Sequence, residues 1–246
     1  MTPPKASDLP NSDKPDAPKR ARAVSKGPTF KYERAVLKRL PDVPGAIIAG
    51  IDEVGCAPLA GPVVAAAVIL DQKKLPKILR RELDDSKKVP KEKREELYGI
   101  LMSCGAAVAG VGRAEVHEID TINILNAAHL AMKRALESLH CMVTVALIDG
   151  NRKPKNMPCE IETIVKGDGK SLSIAAASIV AKVTRDRLMA ELALAHPGYG
   201  WETNVGYPTP EHRKAIVRLG LTDHHRRSFQ FVRDQLYPPA VQLELV

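Results

Sequence analysis

The chain is poor in cysteine: Cys56, Cys104, Cys141 and Cys159 are the only four in 246 residues, and none stands at C-x-x-C spacing from another. That scatter argues against a disulfide framework and the common zinc modules, leaving four reduced thiols in a reducing compartment as the expectation. Long apolar runs are missing too. The longest, 63–70, falls far short of the roughly 18 residues that cross a bilayer, so no membrane partner is expected. The N-terminus has no apolar secretory core, and Asp8, Asp13 and Asp16 argue against an acid-poor organelle address, which makes the cytoplasm the default. Acidic residues are outnumbered, 29 against 37 Lys and Arg, for a formal charge of +8 and a pI near 9.3. A polyanionic partner fits that balance, because each phosphate neutralised releases counterions, although charge alone identifies none. The apolar fraction of 44% is ordinary for a globular chain and excludes wholesale disorder.

Residues 1–30 are rich in Pro, Lys, Asp and Ser, have little to bury, and read as a disordered basic tail; a single folded domain is expected over 31–246. Within it, 46–52 reads as a buried strand and 61–70 as its partner across a Gly- and Pro-bearing turn. A charged connection over 75–90 leads to a helix over 91–103, a third strand over 106–111 and an amphipathic helix over 121–139. Strands over 143–148 and 161–165 follow. A long helix over 171–195 is then stopped by Pro197, and a further one over 210–219 has Pro210 in its first turn. A leading hairpin followed by strands alternating with helices predicts an α/β fold, a five-stranded mixed sheet flanked by helices with a C-terminal helical extension.

Asp52 follows the apolar run Ile47-Ile48-Ala49-Gly50-Ile51, and Asp149 closes Val143-Thr144-Val145-Ala146-Leu147-Ile148 in the same way. At the ends of neighbouring parallel strands the two would lie side by side in the crevice where open α/β sheets bind ligands. A carboxylate there is expensive to desolvate unless paired or coordinated, and two together call for a cation; hard Mg²⁺ or Mn²⁺ suits all-oxygen ligation. Glu53 would face the other side of the sheet from Asp52 unless the strand ends at the pair, as Gly55 and Pro58 predict. Asp168, in Lys166-Gly167-Asp168-Gly169-Lys170, opens the long helix and would close the cluster from that side. Taken singly, Asp168 is also readable as a helix cap and Asp149-Gly150 as a turn. Taken jointly in a basic chain, the four acids favour a two-metal nuclease site, one ion activating water and one stabilising the leaving oxygen of a phosphodiester.

The motifs then carry a resemblance. Gly50-Ile51-Asp52-Glu53-Val54-Gly55 with Pro58-Leu59-Ala60-Gly61-Pro62-Val63-Val64, then Asp85-Ser86-Lys87-Lys88, Ile148-Asp149-Gly150-Asn151, Lys166-Gly167-Asp168, the run from Ser173 to Asp186, Gly206-Tyr207-Pro208-Thr209 and His224-His225-Arg226-Arg227-Ser228-Phe229 resemble type 2 ribonuclease H, ribonuclease HII, in order over about 46–232. The resemblance implies a ribonuclease H-like fold and internal cleavage of RNA in RNA–DNA hybrids, leaving 3′-hydroxyl and 5′-phosphate ends, with Mn²⁺ or Mg²⁺. It implies that Asp52, Glu53, Asp149 and Asp168 are the catalytic acids, with Asp52, Glu53 and Asp149 as metal ligands and Asp168 completing the site when substrate is bound. The hybrid duplex is the implied partner, bound by a monomer with no small-molecule cofactor. Type 3 relatives carry an extra folded N-terminal domain, for which the tail here is too short and polar.

The resemblance also points to substrate contacts. Lys87 matches a loop lysine near the scissile phosphate, and Tyr207 a tyrosine that stacks on the deoxyribose beyond an RNA–DNA junction. The family's Gly-Arg-Gly loop, which approaches the ribose 2′-hydroxyl, is Gly55-Cys56-Ala57 here, so the guanidinium is lost and Ala57 lacks glycine's backbone freedom. Weaker handling of junction substrates is therefore expected, and an inactive or weakened hybrid-binding protein is the alternative. From spacing alone, Ser171, Ser178, Lys182 and Arg185 fall on one polar stripe of the long helix, either substrate-facing or solvated. His224, His225, Arg226 and Arg227 read either as a phosphate track or as an anchor for the C-terminal region.

Overall fold

The computed structural model describes residues 27–237. Five strands, β1 (Ile48–Val54), β2 (Val63–Leu70), β3 (Ala107–Ala114), β4 (Val145–Asp149) and β5 (Glu160–Ile164), form one sheet in the order β3-β2-β1-β4-β5. The β1–β2 and β2–β3 pairs are antiparallel, and β1–β4 and β4–β5 are parallel, so the expected mixed sheet is present.

Eight helices accompany it among the described residues: α1 (Lys31–Arg39), α2 (Lys77–Glu82), α3 (Lys91–Ser103), α4 (Val116–Glu137), α5 (Leu172–Ala195), α6 (Trp201–Asn204), α7 (Pro210–Leu219) and α8 (Gln230–Leu236). The central strands of the sheet are buried on both faces, which is why β2 reads Val-Val-Ala-Ala-Ala-Val-Ile-Leu without polar alternation, while edge strand β3 alternates buried and exposed residues. Ala175, Ala176, Ile179 and Val180 of α5 cover one face, with Ala66 and Val68. Ala127, Ala131 and Ala135 of α4 cover the other, with Ala49, Ile51 and Ala65. Small residues let both helices sit close. A Cβ at Gly50 would collide with the backbone of Ser173, so glycine is required where α5 crosses β1.

Several elements depart from the sequence expectations. Thr29 and Phe30 stand on the tail side of the boundary at 30, yet Thr29 N–H donates to Lys170 O at 3.0 Å and Phe30 is buried; residues 1–26 of the expected tail lie outside the described residues. Next to them α1 docks through Glu33, whose Oε1 accepts from Ser171 Oγ (2.7 Å), Ser173 N (3.0 Å) and Ser173 Oγ (2.6 Å) at the start of α5. The 75–90 connection contains α2, which buries Leu79. Helix α4 starts at Val116 instead of 121, through a capping box of Glu115 and Glu118 in which Arg134 also grips Glu118, and it kinks at Asn123 (φ 67°). The polar stripe on α5 is not solvated: Ser171 is buried against Glu33, Ser178 against Ser86 and Arg185 against the carbonyls of Ala60, Pro62 and Val205, while Lys182 is partly buried in an ion pair with Asp186.

Beyond α5, the C-terminal helices gather Trp201, Tyr199, Ile216 and Val232 around Leu59 and Met189. A chain of neutral imidazoles ties them together. Trp201 Nε1 donates to His212 Nε2 at 2.9 Å, leaving His212 Nδ1–H to donate to Tyr207 O at 2.9 Å. His225 Nδ1 accepts from Thr222 N at 3.0 Å. Burial first, then the neighbouring His212, pushes His225 down to about 4. The four cysteines are free thiols.

Candidate active site

The parallel register of β1 and β4 ends at Ile51↔Ile148, so Asp52 and Asp149 are the next residues on adjacent strands, whose spacing is about 4.8 Å. The expectation that β1 ends at the acidic pair is not met. The strand runs on to Val54, with Glu53 paired to Ala65, because β2 continues alongside it. Asp52 and Glu53 therefore take opposite faces. Asp52 is buried on the α5 side beside Ser178, while Glu53 lines a cleft of about 410 Å³ with Ile124, Ala128 and Met132 of α4 and with Asp149. Asp149, between them on the next strand, is felt by both. Asp168 comes from a short 3-10 turn (Gly167–Gly169) ahead of α5 that is itself tied to β4, since Gly167 N donates to Asp149 Oδ1 at 2.6 Å.

The charges of the four acids are under-compensated. Asp52 is raised well above the ordinary carboxylate range, first by burial and then by Glu53 and Asp149. Glu53 is raised by burial and Asp149, and Asp168 by burial, Asp149 and Asp85. For Lys87, burial works against the charge, but Asp85, Asp52 and Asp168 outweigh it, so its ammonium is raised and stays charged. Lys87 thus faces the acids from a loop clamped beneath it: Ser178 Oγ donates to Ser86 Oγ at 2.8 Å, and Arg94 Nη1 donates to Ser86 O at 2.9 Å.

Among the described residues, no three His, Cys, Asp or Glu side chains are grouped closely enough to hold a metal ion. The donor set nonetheless fits a hard cation. Asp52 and Asp168 each use Oδ1 to accept one backbone N–H at 2.8 Å, and Asp149 does so at 2.6 Å. Glu53 Oε2 is buried without any hydrogen-bond partner. A buried carboxylate oxygen with nothing to hold it is a standing cost of about 1–3 kcal/mol, which a divalent ion would remove.

The Gly55-Cys56-Ala57 loop borders the acids. Gly55 has φ 93°, and a Cβ there would strike the Arg185 guanidinium; Ala57 is not among the residues with positive φ, so alanine does not strain the loop. Cys56 lines the cleft beside Glu53, and burial followed by the Glu53 charge raises its thiol to about 11, so it is no thiolate nucleophile.

Two residues whose role the sequence did not disclose hold this loop. Arg226 donates to Gly55 O (2.6 Å), Cys56 O (3.1 Å) and Gly61 O (2.9 Å from Nε). Arg185 donates to Pro62 O (3.1 Å), Ala60 O (3.2 Å) and Val205 O (3.0 Å). Both are fully buried, and every one of these bonds goes to a backbone carbonyl. Of the two readings of His224–Arg227, the anchor holds for His225 and Arg226, while Arg227 is exposed. Asp120 completes the anchor by accepting from Arg227 N and Ser228 N at 3.0 and 2.9 Å. Tyr207, exposed, follows Gly206, whose carbonyl accepts from Leu59 N at 2.8 Å.

Comparison with known proteins follows the same lines. A family model described as Ribonuclease HII matches residues 49–232. A curated ribonuclease HII of Paramagnetospirillum magneticum is 60% identical over 185 residues, covering 75% of this chain and 90% of that one. That of Ruegeria pomeroyi is 56% identical over 190 residues, covering 77% and 79%. Among solved structures, the ribonuclease H2 of Pyrococcus horikoshii superposes with a TM-score of 0.63 at 27% identity, over 77% of this chain and 96% of that one. Bst-RNase HIII, solved in complex with Mn²⁺, shares the fold at 19% identity with a TM-score of 0.63, over 78% and 69%.

Proposed function

Since this chain belongs to the ribonuclease HII family, we propose that it is an endoribonuclease hydrolysing the RNA strand of RNA–DNA hybrids, and acting as a monomer. The observation that carries the reading is the placement of Asp52 and Glu53 of β1 beside Asp149 at the end of neighbouring β4, with Glu53 Oε2 unpartnered and Asp52 and Glu53 raised first by burial and then by the neighbouring acids.

Asp52, Glu53 and Asp149 would hold Mn²⁺ or Mg²⁺, with Asp168 joining when substrate is bound. The ions supply Lewis acidity toward a phosphodiester and activation of water near neutral pH. Water attacks phosphorus, the P–O3′ bond breaks, and the products are a 3′-hydroxyl and a 5′-phosphate. Lys87, kept cationic by the acids around it, is placed to offset the charge that develops on the phosphoryl oxygens. The 55–61 loop, with its carbonyls turned inward onto Arg226 and Arg185, presents its outer backbone to the ribose 2′-hydroxyl, the group that separates RNA from DNA. Tyr207, its carbonyl held by His212, offers a flat amphipathic ring to the sugar beyond the cleavage point. Ala57 at an ordinary φ favours an active loop over the weakened hybrid binder, since the backbone conformation does not depend on glycine.

The test is incubation with labelled RNA–DNA hybrid, all-DNA duplex and single-stranded RNA in Mn²⁺, Mg²⁺ or EDTA. Internal cleavage confined to the hybrid and abolished by EDTA is expected. Cleavage of all-DNA duplex, or binding without cutting, would overturn the reading.

A further inference from the structure

The cleft that contains Glu53 and Asp149 does not stop at the acids. It is lined further out by Leu125, His129 and Arg152, and these same three residues line a second, open cleft of about 790 Å³ that runs on along α4. The two are one groove. Its outer part collects Lys133, Arg152, Lys153 and Lys155, with Asn126 and Asn156 beside them, and includes no Asp or Glu in its lining.

Four cations converging on one groove repel each other, and little local acid offsets them. Lys133 reaches Glu137 only at 3.9 Å, and Arg152, Lys153 and Lys155 form no ion pair among the described residues. Burial and then the neighbouring Arg152 lower His129, so its imidazole is a neutral hydrogen-bonding group in the groove wall. The loop that carries Arg152, Lys153 and Lys155 is pinned at its start and at its middle. Gly150 N donates to Ile164 O at 3.1 Å, and Pro154 is buried, so Lys153 and Lys155 on either side of it are exposed. Asparagine amides add donors suited to phosphate oxygens.

The geometry points to a second phosphate-binding track, Arg152, Lys153, Lys155 and Lys133 along α4, that holds the nucleic-acid backbone continuous with the phosphodiester at the acids. This rests on the proposed function for the placement of that phosphodiester. The occupant is a nucleic-acid backbone because the track opens directly into the acidic site, where a phosphate must lie, and because its own charge is of one sign. Contacts of this kind position a duplex without reading sequence or sugar.

The track is tested by fluorescence anisotropy in EDTA, with labelled hybrid and labelled all-DNA duplex as probes, over a range of salt. The triple variant Arg152→Gln, Lys153→Gln, Lys155→Gln removes three contacts. The slope of log Kd against log salt should fall by about 2–3, and the wild-type advantage should shrink about 40-fold between about 50 and 200 mM salt. The loss should be equal for the two duplexes. A charge-matched control, Lys73→Gln, Lys74→Gln, Lys77→Gln, removes the same charge at the opposite end of the strands, beyond the end of β2, and separates local contact from net charge. The single variants Arg152→Gln and Lys155→Gln, each worth about 0.9 in slope, decide the matter should the triple variant unfold. A fall no greater than the control's overturns the track. Failure of the wild type to cut hybrid with metal overturns the functional reading instead, and leaves the binding result to decide the track.

Discussion

Replacing Arg226 by methionine removes the guanidinium while keeping most of the volume. In the native fold it donates to three carbonyls of the 55–61 loop and lies over the Phe229 ring at 5.0 Å from its centroid. Burial, then the adjacent Arg185, pushes it down to about 9, so it is still a cation at neutral pH. Each carbonyl left unpaired costs about 1–3 kcal/mol, whereas removing a buried cation relieves several kcal/mol of desolvation. The carbonyls outweigh that relief, for a net loss of about 2–4 kcal/mol. In a protein of this size that corresponds to a fall of about 5–15 °C in Tm. Arg226→Lys keeps the charge but cannot span three carbonyls with one compact ammonium, so it should recover only part of the loss. Calorimetry gives the global change, and amide hydrogen exchange over 55–61 shows whether the loop is released before the sheet. Hybrid cleavage should show a raised KM with the metal response kept. If Arg226→Met melts within about 1 °C of wild type with unchanged exchange in the loop, the clamp has no energetic content and the reasoning fails.

Asp52→Asn should lower cleavage by about 10³-fold or more, equivalent to some 4 kcal/mol of transition-state stabilisation, yet stabilise the metal-free protein at neutral pH in thermal melts. The sign follows from the raised carboxyls: Asp52, Glu53 and Asp168 favour the folded state when protonated, so metal-free stability falls as pH rises from their ordinary values, 3.8 to 4.5, through their raised ones. Mn²⁺ or Mg²⁺ at about 100 times its Kd should add about 2.7 kcal/mol to the wild type and much less to Asp52→Asn, measured as a shift in Tm. His225 has the opposite pH sign. Its folded-state value lies below the ordinary 6.5, so stability is complete above 6.5 and is lost as pH falls toward about 4, detectable as early hydrogen exchange over 196–229. Glu33→Ala should cost about 2–3 kcal/mol by denaturant titration, because three hydrogen bonds to one carboxylate oxygen disappear while the active site is untouched. Cys56→Arg with Ala57→Gly should speed cleavage at a lone ribonucleotide in DNA relative to a long hybrid; equal relative rates would show that the loop's side chain is irrelevant to junctions.

Local signals were legible wherever a local cause dominates. Helix α3 and helix α7 occupy the spans expected from periodicity, since Pro90 precedes one and Pro210 opens the other. The strands carrying Asp52 and Asp149 were readable because a carboxylate that ends a buried apolar run is tolerated only at the rim of a sheet or beside a compensating charge. Helix α1 was not readable: Lys-Tyr-Glu-Arg-Ala-Val-Leu-Lys-Arg looks solvated, and only the hydroxyls and amide of Ser171 and Ser173 make Glu33 a buried residue. Helix α4 began early because Glu115 and Glu118 cap one another, a signal present in the sequence but masked by the absence of Ser or Thr at the cap.

The identity of the acids, their position after apolar strands and the order of the elements were determined by the sequence itself, because hydrophobic periodicity and turn chemistry act over a few residues. Tertiary structure alone decided that Asp52 and Glu53 take opposite faces of a strand that runs on to Val54, and that Arg185 and Arg226 are buried while Arg152, Lys153 and Lys155 are not. Nothing in local spacing distinguishes one arginine from another. The bond from Arg226 to Gly55 joins residues 171 positions apart, and its desolvation is acceptable only because the whole fold brings the loop carbonyls to it.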